Sequence, residues 1–483
     1  MIEILVVLGF PVAGALVLAA VGHRDQASTV NIIVCLATFL SAVALTVRVI
    51  SHGPLLVLDR LFFVDPFNVF LVALTAFVGF TTSIFSRPYM RIEREHGRLT
   101  PARLRLYHSM FQVFNFTMLL ALLTNNMGIL WVALEAATLA TVLLVSLYRT
   151  PASLEAAWKY FILCGVGIAQ ALFGTILLYF AAEKLLGAEG GALLWTELNT
   201  VKSQLEPTVL SLAFVFLLVG YGTKVGLVPL HNWLPDAHAE GPTPISAVLS
   251  GLLLNVALYA LLRFKILLAA NPAAIAPGPL MVTMGLVSLV FAAFMLYRRR
   301  DIKRLFAYSS IEHMGIIVFA FGMGGPLANF AGLLHMVMHS LTKSAIFYAV
   351  GHISQIKGTQ RIARIRGLTD THPALGWGLV MGVVAIAGLP PLGIFMSEFL
   401  IVSSTFARQP LLAIVLVLGL LLAFGALTLR LTSVAFGEPR GSTASAEASY
   451  VPMFAHLSLV LVAGIYLPAP LVIWFQHVAQ LLG

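Results

Sequence analysis

The chain alternates long apolar runs with short polar interruptions, and the runs carry the period of a membrane rather than of a soluble core. A helix crossing a bilayer needs about 20 mostly apolar residues. Runs of that kind fall near 2–22, 29–50, 64–86, 108–124, 126–147, 157–182, 208–233, 243–270, 277–297, 302–322, 327–354, 374–405, 411–436 and 452–476. About fourteen transmembrane helices are therefore predicted, as one transmembrane domain over 1–483. The first run contains Glu3 and begins without a Lys or Arg, so it reads as a membrane helix rather than a cleaved leader. The longest polar interruption is 183–207, and the stretch 438–450 reads as a flexible polar loop.

Basic residues sharpen this picture. Arg87, Arg91, Arg94, Arg98, Arg103 and Arg105 follow the third run, and Arg149 follows the fifth. Arg298, Arg299, Arg300, Lys303 and Arg304 follow the ninth; Lys357, Arg361, Arg364 and Arg366 follow the eleventh. All lie after odd-numbered runs. The opposite loops hold few, chiefly Arg60, Lys184, Lys202 and Arg408. Positively charged loops stay in the cytoplasm, which predicts an inner (cytoplasmic) membrane protein of a prokaryote with both termini outside.

Two runs are interrupted at membrane depth, in GTKVGLVPLHNWLPDAHAEGPTPISA and in AIAGLPPLGIFMSEFL. Proline removes a backbone donor and clashes with the preceding turn. Non-helical backbone at that depth is tolerated only inside protein or beside a wet cavity. The breaks fall in the seventh and twelfth runs, each fourth in a set of five. This predicts two inverted five-helix repeats, about 108–270 and 277–436, with 1–107 and 437–483 flanking them.

Composition agrees. Of 483 residues 59% are hydrophobic and 10% charged, with mean hydropathy +0.95. Soluble domains carry about 25% charged residues, so the fold class is an all-α polytopic membrane protein. The net charge of +9 is accounted for by the cytoplasmic loops, and nucleic acid is not expected as a partner. Cys35 and Cys164 are isolated in apolar runs and cannot hold an iron–sulfur cluster or a disulfide framework.

Ionisable residues inside apolar runs are functional candidates, because charge there is costly. His335, His339 and Lys343 recur every four residues in LLHMVMHSLTKSAIFYAVG, on one face of a helix. Glu135 sits in ILWVALEAATLATVLL, Lys224 just before the first break and Glu398 just after the second. A Glu135–Lys224 ion pair is expected, its proton occupancy set by geometry. Lys159 is either a member of this relay or a cation reaching the interface. His313 and the pair His231 and His238 are further relay candidates, or hydrogen-bonding supports. The HxxxH spacing of His335 and His339 also suits a metal or haem. It lacks the intervening Glu of a metalloprotease, and no second His-rich helix supplies an opposing ligand. No metal, cofactor-binding or catalytic residue is expected, because no phosphate loop, nucleophile elbow or cysteine cluster is present.

The segments KVGLVPLHNWLPDAHAEGPTPISAVLSG, RDIKRLFAYSSIEHMG and HMVMHSLTKSAIF resemble the antiporter-like subunits of respiratory complex I. That superfamily includes Mrp-type antiporter subunits and the membrane arms of energy-converting [NiFe]-hydrogenases. The stretches EHGRLT, LTNNMGILWVALEAATLA and SLEAAWKYFILCGVG are most similar to the hydrogenase-4/formate hydrogenlyase component F branch. The resemblance covers about 60–480. It implies that Glu135 is the fifth-helix glutamate and Lys224 its seventh-helix partner. His335, His339 and Lys343 match the eleventh-helix stripe, and Glu398 the twelfth-helix terminal group. Many members place Lys or His on the eighth helix, where this chain has Asn255. Asn does not take up a proton, but it can hold water.

The implied function is proton translocation, driven by a peripheral redox arm of the same complex. The chain itself has no redox centre. Iron–sulfur clusters, and nickel–iron in a hydrogenase, belong to partner subunits. Other membrane subunits, lipid and H+ are the remaining partners. An Mrp-like subunit exchanging Na+ for H+, and a structural subunit with a partly silent channel, are the alternatives.

Overall fold

The computed structural model describes residues 2–187, 191–440 and 448–483. Most of the loop expected at 438–450, residues 441–447, thus lies outside the described residues. The chain is helical nearly throughout. In order the helices are α1 (Ile2–Val21), α2 (Ala27–His52), α3 (Pro66–Glu95), α4 (Pro101–Leu123), α5 (Met127–Val145), α6 (Pro151–Leu186) and α7 (Trp195–Val201). There follow α8 (Pro207–Val225), α9 (Trp233–Glu240), α10 (Thr243–Val248), α11 (Leu254–Ala269), α12 (Pro277–Arg298), α13 (Ile302–Met323) and α14 (Pro326–Lys357). The last are α15 (Leu368–Thr371), α16 (Pro373–Ile386), α17 (Gly393–Arg408), α18 (Pro410–Ala435), α19 (Val451–Ile465) and α20 (Ala469–Leu481). A small hairpin, β1 (Leu55–Val57) against β2 (Phe62–Val64), joins α2 to α3.

Helix starts are written locally. Thr100, Thr150 and Glu206 each accept a backbone N–H from the first turn and are each followed by proline. Such a residue satisfies an orphan donor, and proline there lacks only an N–H the helix leaves unpaired. Asp65 caps α3 in a reciprocal box with Asn68.

Among the described residues eleven helices are long and apolar enough to cross a membrane, or twelve if α19 and α20 form one span. Two of the fourteen predicted segments fall outside that set. One is α14, which carries the polar stripe. The other is the pair α16 and α17, separated by the second break. The run expected as a single helix at 452–476 is corrected: α19 and α20 meet at 82°. Pro468 and Pro470 stand at that bend, where a continuing helix would lose donors.

The two breaks are built alike. At the first, Gly226 takes a left-handed conformation (φ 83°), its N–H bonds Thr223 O, and Leu227 N–H bonds Gly222 O. At the second, Gly388 (φ 69°) bonds Ala385 O and Leu389 bonds Val384 O. Each is a Schellman turn, which only glycine enters without steric penalty. The local sequences are GLVPL and GLPPL, and in both the peptide bond before the proline at the fourth position is cis. Val228 N–H is satisfied by Ser288 Oγ at 2.9 Å.

The segment α10 to α11 and helices α13 and α14 form the centre, buried along most of their length. Outer helices α1, α2, α6 and α18 turn Leu16, Ile33, Trp158 and Leu411 outward. An apolar exterior around a polar-striped centre is the arrangement lipid demands.

Candidate functional site

Helices α6 and α8 approach closely because small residues face each other. A methyl group on Gly167 would meet Thr223 at 2.7 Å, and one on Gly220 would meet Ala171 at 2.6 Å. Such contacts let backbones pack without side chains between them. They fix the last turn of α8 against α6, and from there Lys224 reaches α5. Trp233 on α9 donates to Thr223 O at 2.8 Å and stitches the unwound segment back to the helix end.

Lys224 is fully buried. Its Nζ donates to Leu134 O at 3.2 Å and to Thr138 Oγ1. Thr138 Oγ1 lies 3.3 Å from Glu135 Oε2, and Glu135 is half-buried. The expected direct Glu135–Lys224 ion pair is therefore corrected: a threonine hydroxyl stands between the two. Residues i and i+3 share a helix face, so Thr138 is placed to do this.

The second cluster is assembled across three helices. His313 Nδ1 on α13 lies 3.0 Å from His335 Nε2 on α14. His335 Nδ1 lies 2.9 Å from Ser397 Oγ on α17, and Glu398 Oε1 is 4.0 Å from His313 Nδ1. Glu312 Oε2 is 3.9 Å from His313 Nε2. The expectation that no second helix offers an opposing histidine is thus corrected, since His313 faces His335. The pairing runs between helices, not along the HxxxH stripe. The His339 ring is tilted against that of His313 at 5.6 Å, and neither of its nitrogens has a hydrogen-bond partner among the described residues. Lys343 donates to Phe306 O at 2.9 Å.

Between the clusters, α10 passes into α11 through a π-helical turn, Leu249–Leu253, that lies against α14. Asn255 Nδ2 donates to Ser340 Oγ at 2.8 Å and to Met336 O at 3.2 Å, while its Oδ1 has no partner among the described residues. Ser250 and Ser310 hydroxyls meet at 2.7 Å, and Ser310 donates to Phe306 O, the acceptor also used by Lys343. π-Turns recur at functional positions because they re-aim side chains.

The remaining candidates lie elsewhere. Lys159 is exposed and paired with Glu155 at 2.6 Å and Asp236 at 3.2 Å, in a surface ion cluster that Arg304 extends. His238 Nδ1 is 2.9 Å from Leu234 O, within its own helix. His231 is buried, and its ring meets Phe291 edge-on at 4.9 Å. A polar cavity of about 510 Å³ opens on the face of the basic loops, lined by buried Tyr89, Glu93 and Lys303 with Arg103 and Gln355.

Thr138, Ser397 and Glu312 were not singled out from sequence. Glu312 had a signal, as a carboxylate inside an apolar run beside His313. Thr138 and Ser397 had none, because hydroxyls are common in membrane helices and acquire meaning only from their neighbours.

Comparison with known proteins agrees with this architecture. Residues 124–423 match the family described as NADH:quinone oxidoreductase/Mrp antiporter, transmembrane. A hydrogenase-4 component F homolog from Methylacidiphilum infernorum is 58% identical over 476 residues, covering 99% of each chain. A chain of the membrane-bound sulfane sulfur reductase, an archaeal respiratory membrane complex, shares the fold with a TM-score of 0.89 at 22% identity, covering 99% of this chain and 97% of that one. A chain of the Mrp complex from Dietzia sp. DQ12-45-1b gives 0.85 at 19% identity, covering 100% and 98%. With a match across more than half its length and a full-length relative at this identity, the chain belongs to the NADH:quinone oxidoreductase/Mrp antiporter transmembrane family.

Proposed function

We propose that this chain is a proton-translocating subunit of a membrane-bound redox complex of the hydrogenase-4 kind. The observation that carries the reading is the cluster Glu398, His313, His335 and Ser397. It is a run of proton-exchanging groups within hydrogen-bonding or near-bonding distance, inside a membrane fold. Histidine is suited to handing protons on near neutral pH. The relative's name supplies the kind of complex.

In this reading Glu135 and Lys224 exchange charge through Thr138, and the change is passed electrostatically towards His339, Lys343 and Glu398. Asn255 carries its step through water on the free Oδ1. The cavity beside Glu93 and Lys303 admits protons from the cytoplasm. Fourteen crossings, both termini outside and two inverted repeats of five helices complete the proposal. The GLVPL and GLPPL breaks support the repeats. A partner arm with iron–sulfur clusters and nickel–iron supplies the driving energy.

The test is reconstitution of the assembled complex in liposomes with substrate-driven proton uptake as readout. Lys224→Ala and Lys343→Ala are expected to assemble normally and to lose proton translocation. Normal pumping in both variants overturns the relay. Na+/H+ exchange by the purified chain without any redox subunit would instead support the Mrp-like alternative.

A further inference from the structure

We propose that His313, His335 and Glu398 form a binding site for a transition-metal dication of the zinc class. The proposal is independent of which ion the protein moves.

The first argument is geometric. One ligand atom from each residue lies within 4.8 Å of the other two. His313 Nδ1 is 3.0 Å from His335 Nε2 and 4.0 Å from Glu398 Oε1. Ligands held about 2.0–2.1 Å from a tetrahedral zinc ion are about 3.3 Å apart. The His313–His335 and His313–Glu398 separations bracket that value and the His335–Glu398 separation is within 4.8 Å, so shifts of a few tenths of an ångström to about 1.5 Å complete the site. Two imidazoles and a carboxylate favour zinc-class ions over sodium, magnesium or calcium, which prefer all-oxygen sites.

The second argument comes from hydrogen positions. Ser397 Oγ donates to Ile394 O at 2.8 Å. Its lone pair therefore receives His335 Nδ1–H, which leaves His335 Nε2 as an acceptor. His313 must then carry its proton on Nδ1 to bond His335, and its Nε2 is left bare. Among the described residues that nitrogen is buried without a hydrogen-bond partner, and so is Glu312 Oε2, 3.9 Å away. At that separation the two are not hydrogen-bonded. Metal on His313 Nδ1 moves the proton to Nε2, where it faces the Glu312 carboxylate. Two orphaned buried atoms become a hydrogen-bonded pair, in the carboxylate–histidine–metal order that supports metal sites elsewhere. No proton is lost from His313 in this exchange.

Charge also closes. A dication with ionised Glu398 and Glu312 is neutral as a group, which suits a buried position. The way in lies beside the second break, where Pro390 and Pro391 are exposed and Glu398 is 11% exposed. His339 does not join the three ligand atoms, and the fourth position is left to water.

The experiment is Zn2+ uptake by the purified, chelator-stripped complex containing the full chain, in competition with a chelating dye. X-ray absorption at the zinc edge reports the ligands. The expected result is one tightly held Zn2+ per chain with two imidazole ligands, lost in His335→Asn and in Glu398→Gln. Glu312→Gln is expected to weaken binding about 10–100-fold, as loss of a supporting carboxylate does. His352→Asn, a buried histidine elsewhere on α14, is expected to keep the ion. All variants are first checked for assembly by size exclusion. Equal Zn2+ retention in wild type, His335→Asn and Glu398→Gln overturns the proposal, and so does the absence of a tightly held ion from the wild type.

Discussion

Replacing Asp65 by Asn should destabilise the protein severely while leaving its backbone cap intact. Asp65 Oδ1 accepts from Phe67 N–H at 3.1 Å and Asn68 N–H at 2.9 Å, capping α3. The same carboxylate receives both arms of Arg263, at 2.7 and 2.8 Å. Both side chains are nearly dry, 6% and 3% exposed. Phe63, Phe67, Trp195 and Tyr259 surround the guanidinium at 4.5–5.6 Å, and Tyr259 OH accepts from Nε at 3.0 Å. Asn caps as well as Asp, but the substitution removes the charge and puts an amide donor where Oδ2 accepts from Arg263. Breaking one side of a buried pair costs about 3–5 kcal/mol. The aromatic cage and the tyrosine bond remain, which places the loss near 3 kcal/mol. Asp65→Ala also removes the cap and should cost about 1 kcal/mol more. A double variant, Asp65→Asn with Arg263→Met, leaves no stranded charge and should recover most of the loss. The assay is the rate of unfolding in mild detergent at fixed temperature, followed by size exclusion. A change of 3 kcal/mol is about 150-fold in rate where the pair is broken in the transition state. Wild-type unfolding in Asp65→Asn, or additive losses in the double variant, would refute the reasoning.

Three further outcomes follow. Thr138→Val keeps shape but removes the hydroxyl between Lys224 and Glu135; a hydrogen bond to a charged group is worth about 1.5–3 kcal/mol, so proton translocation should fall at least about tenfold while Thr138→Ser retains it, measured as substrate-driven uptake in proteoliposomes. Gly285→Ala places a methyl group 2.7 Å from Gly315 O and from Phe319 N, both backbone, and should cost about 1–3 kcal/mol in a detergent thermal melt; a melt like wild type would show that α12 and α13 separate easily. Asn255→Leu removes the bonds to Met336 O and Ser340 and the free Oδ1; it should assemble and pump more slowly, and unchanged pumping would show that no water step passes this residue.

Helix positions were legible because the bilayer imposes one length on every span, and Glu135, Lys224 and Glu398 stood out because charge inside such a span is rare. The stripe of His335, His339 and Lys343 was legible as a face, but not its neighbours. That His335 is held by His313 and Ser397 depends on how α13, α14 and α17 pack, which no periodicity encodes. The hydroxyl of Thr138 between Glu135 and Lys224 is hidden for the same reason. The bend at Pro468 and Pro470 had a local signal, outweighed by the apolar run around it. GLVPL and GLPPL are five-residue matches too short to weigh in a chain of 483 residues; equal Schellman turns at both give them meaning.

The glycine contacts bear on how such a molecule can move. Gly278 and Gly285 on α12 meet Gly322 and Gly315 on α13, and a methyl group at any of the four would lie within 2.7 Å of opposing backbone. Two rods clamped backbone to backbone cannot slide or rotate against each other without collision, so α12 and α13 travel as one stiff plate. The clamp of α6 on α8 makes a second plate. Beside these plates compliance falls on the unwound joints, 226–232 and 387–392, each a swivel bearing one glycine in a left-handed turn. Lys224 and Glu398 stand beside those swivels, so any rocking of the plates is felt first by the two charged groups at their hinges.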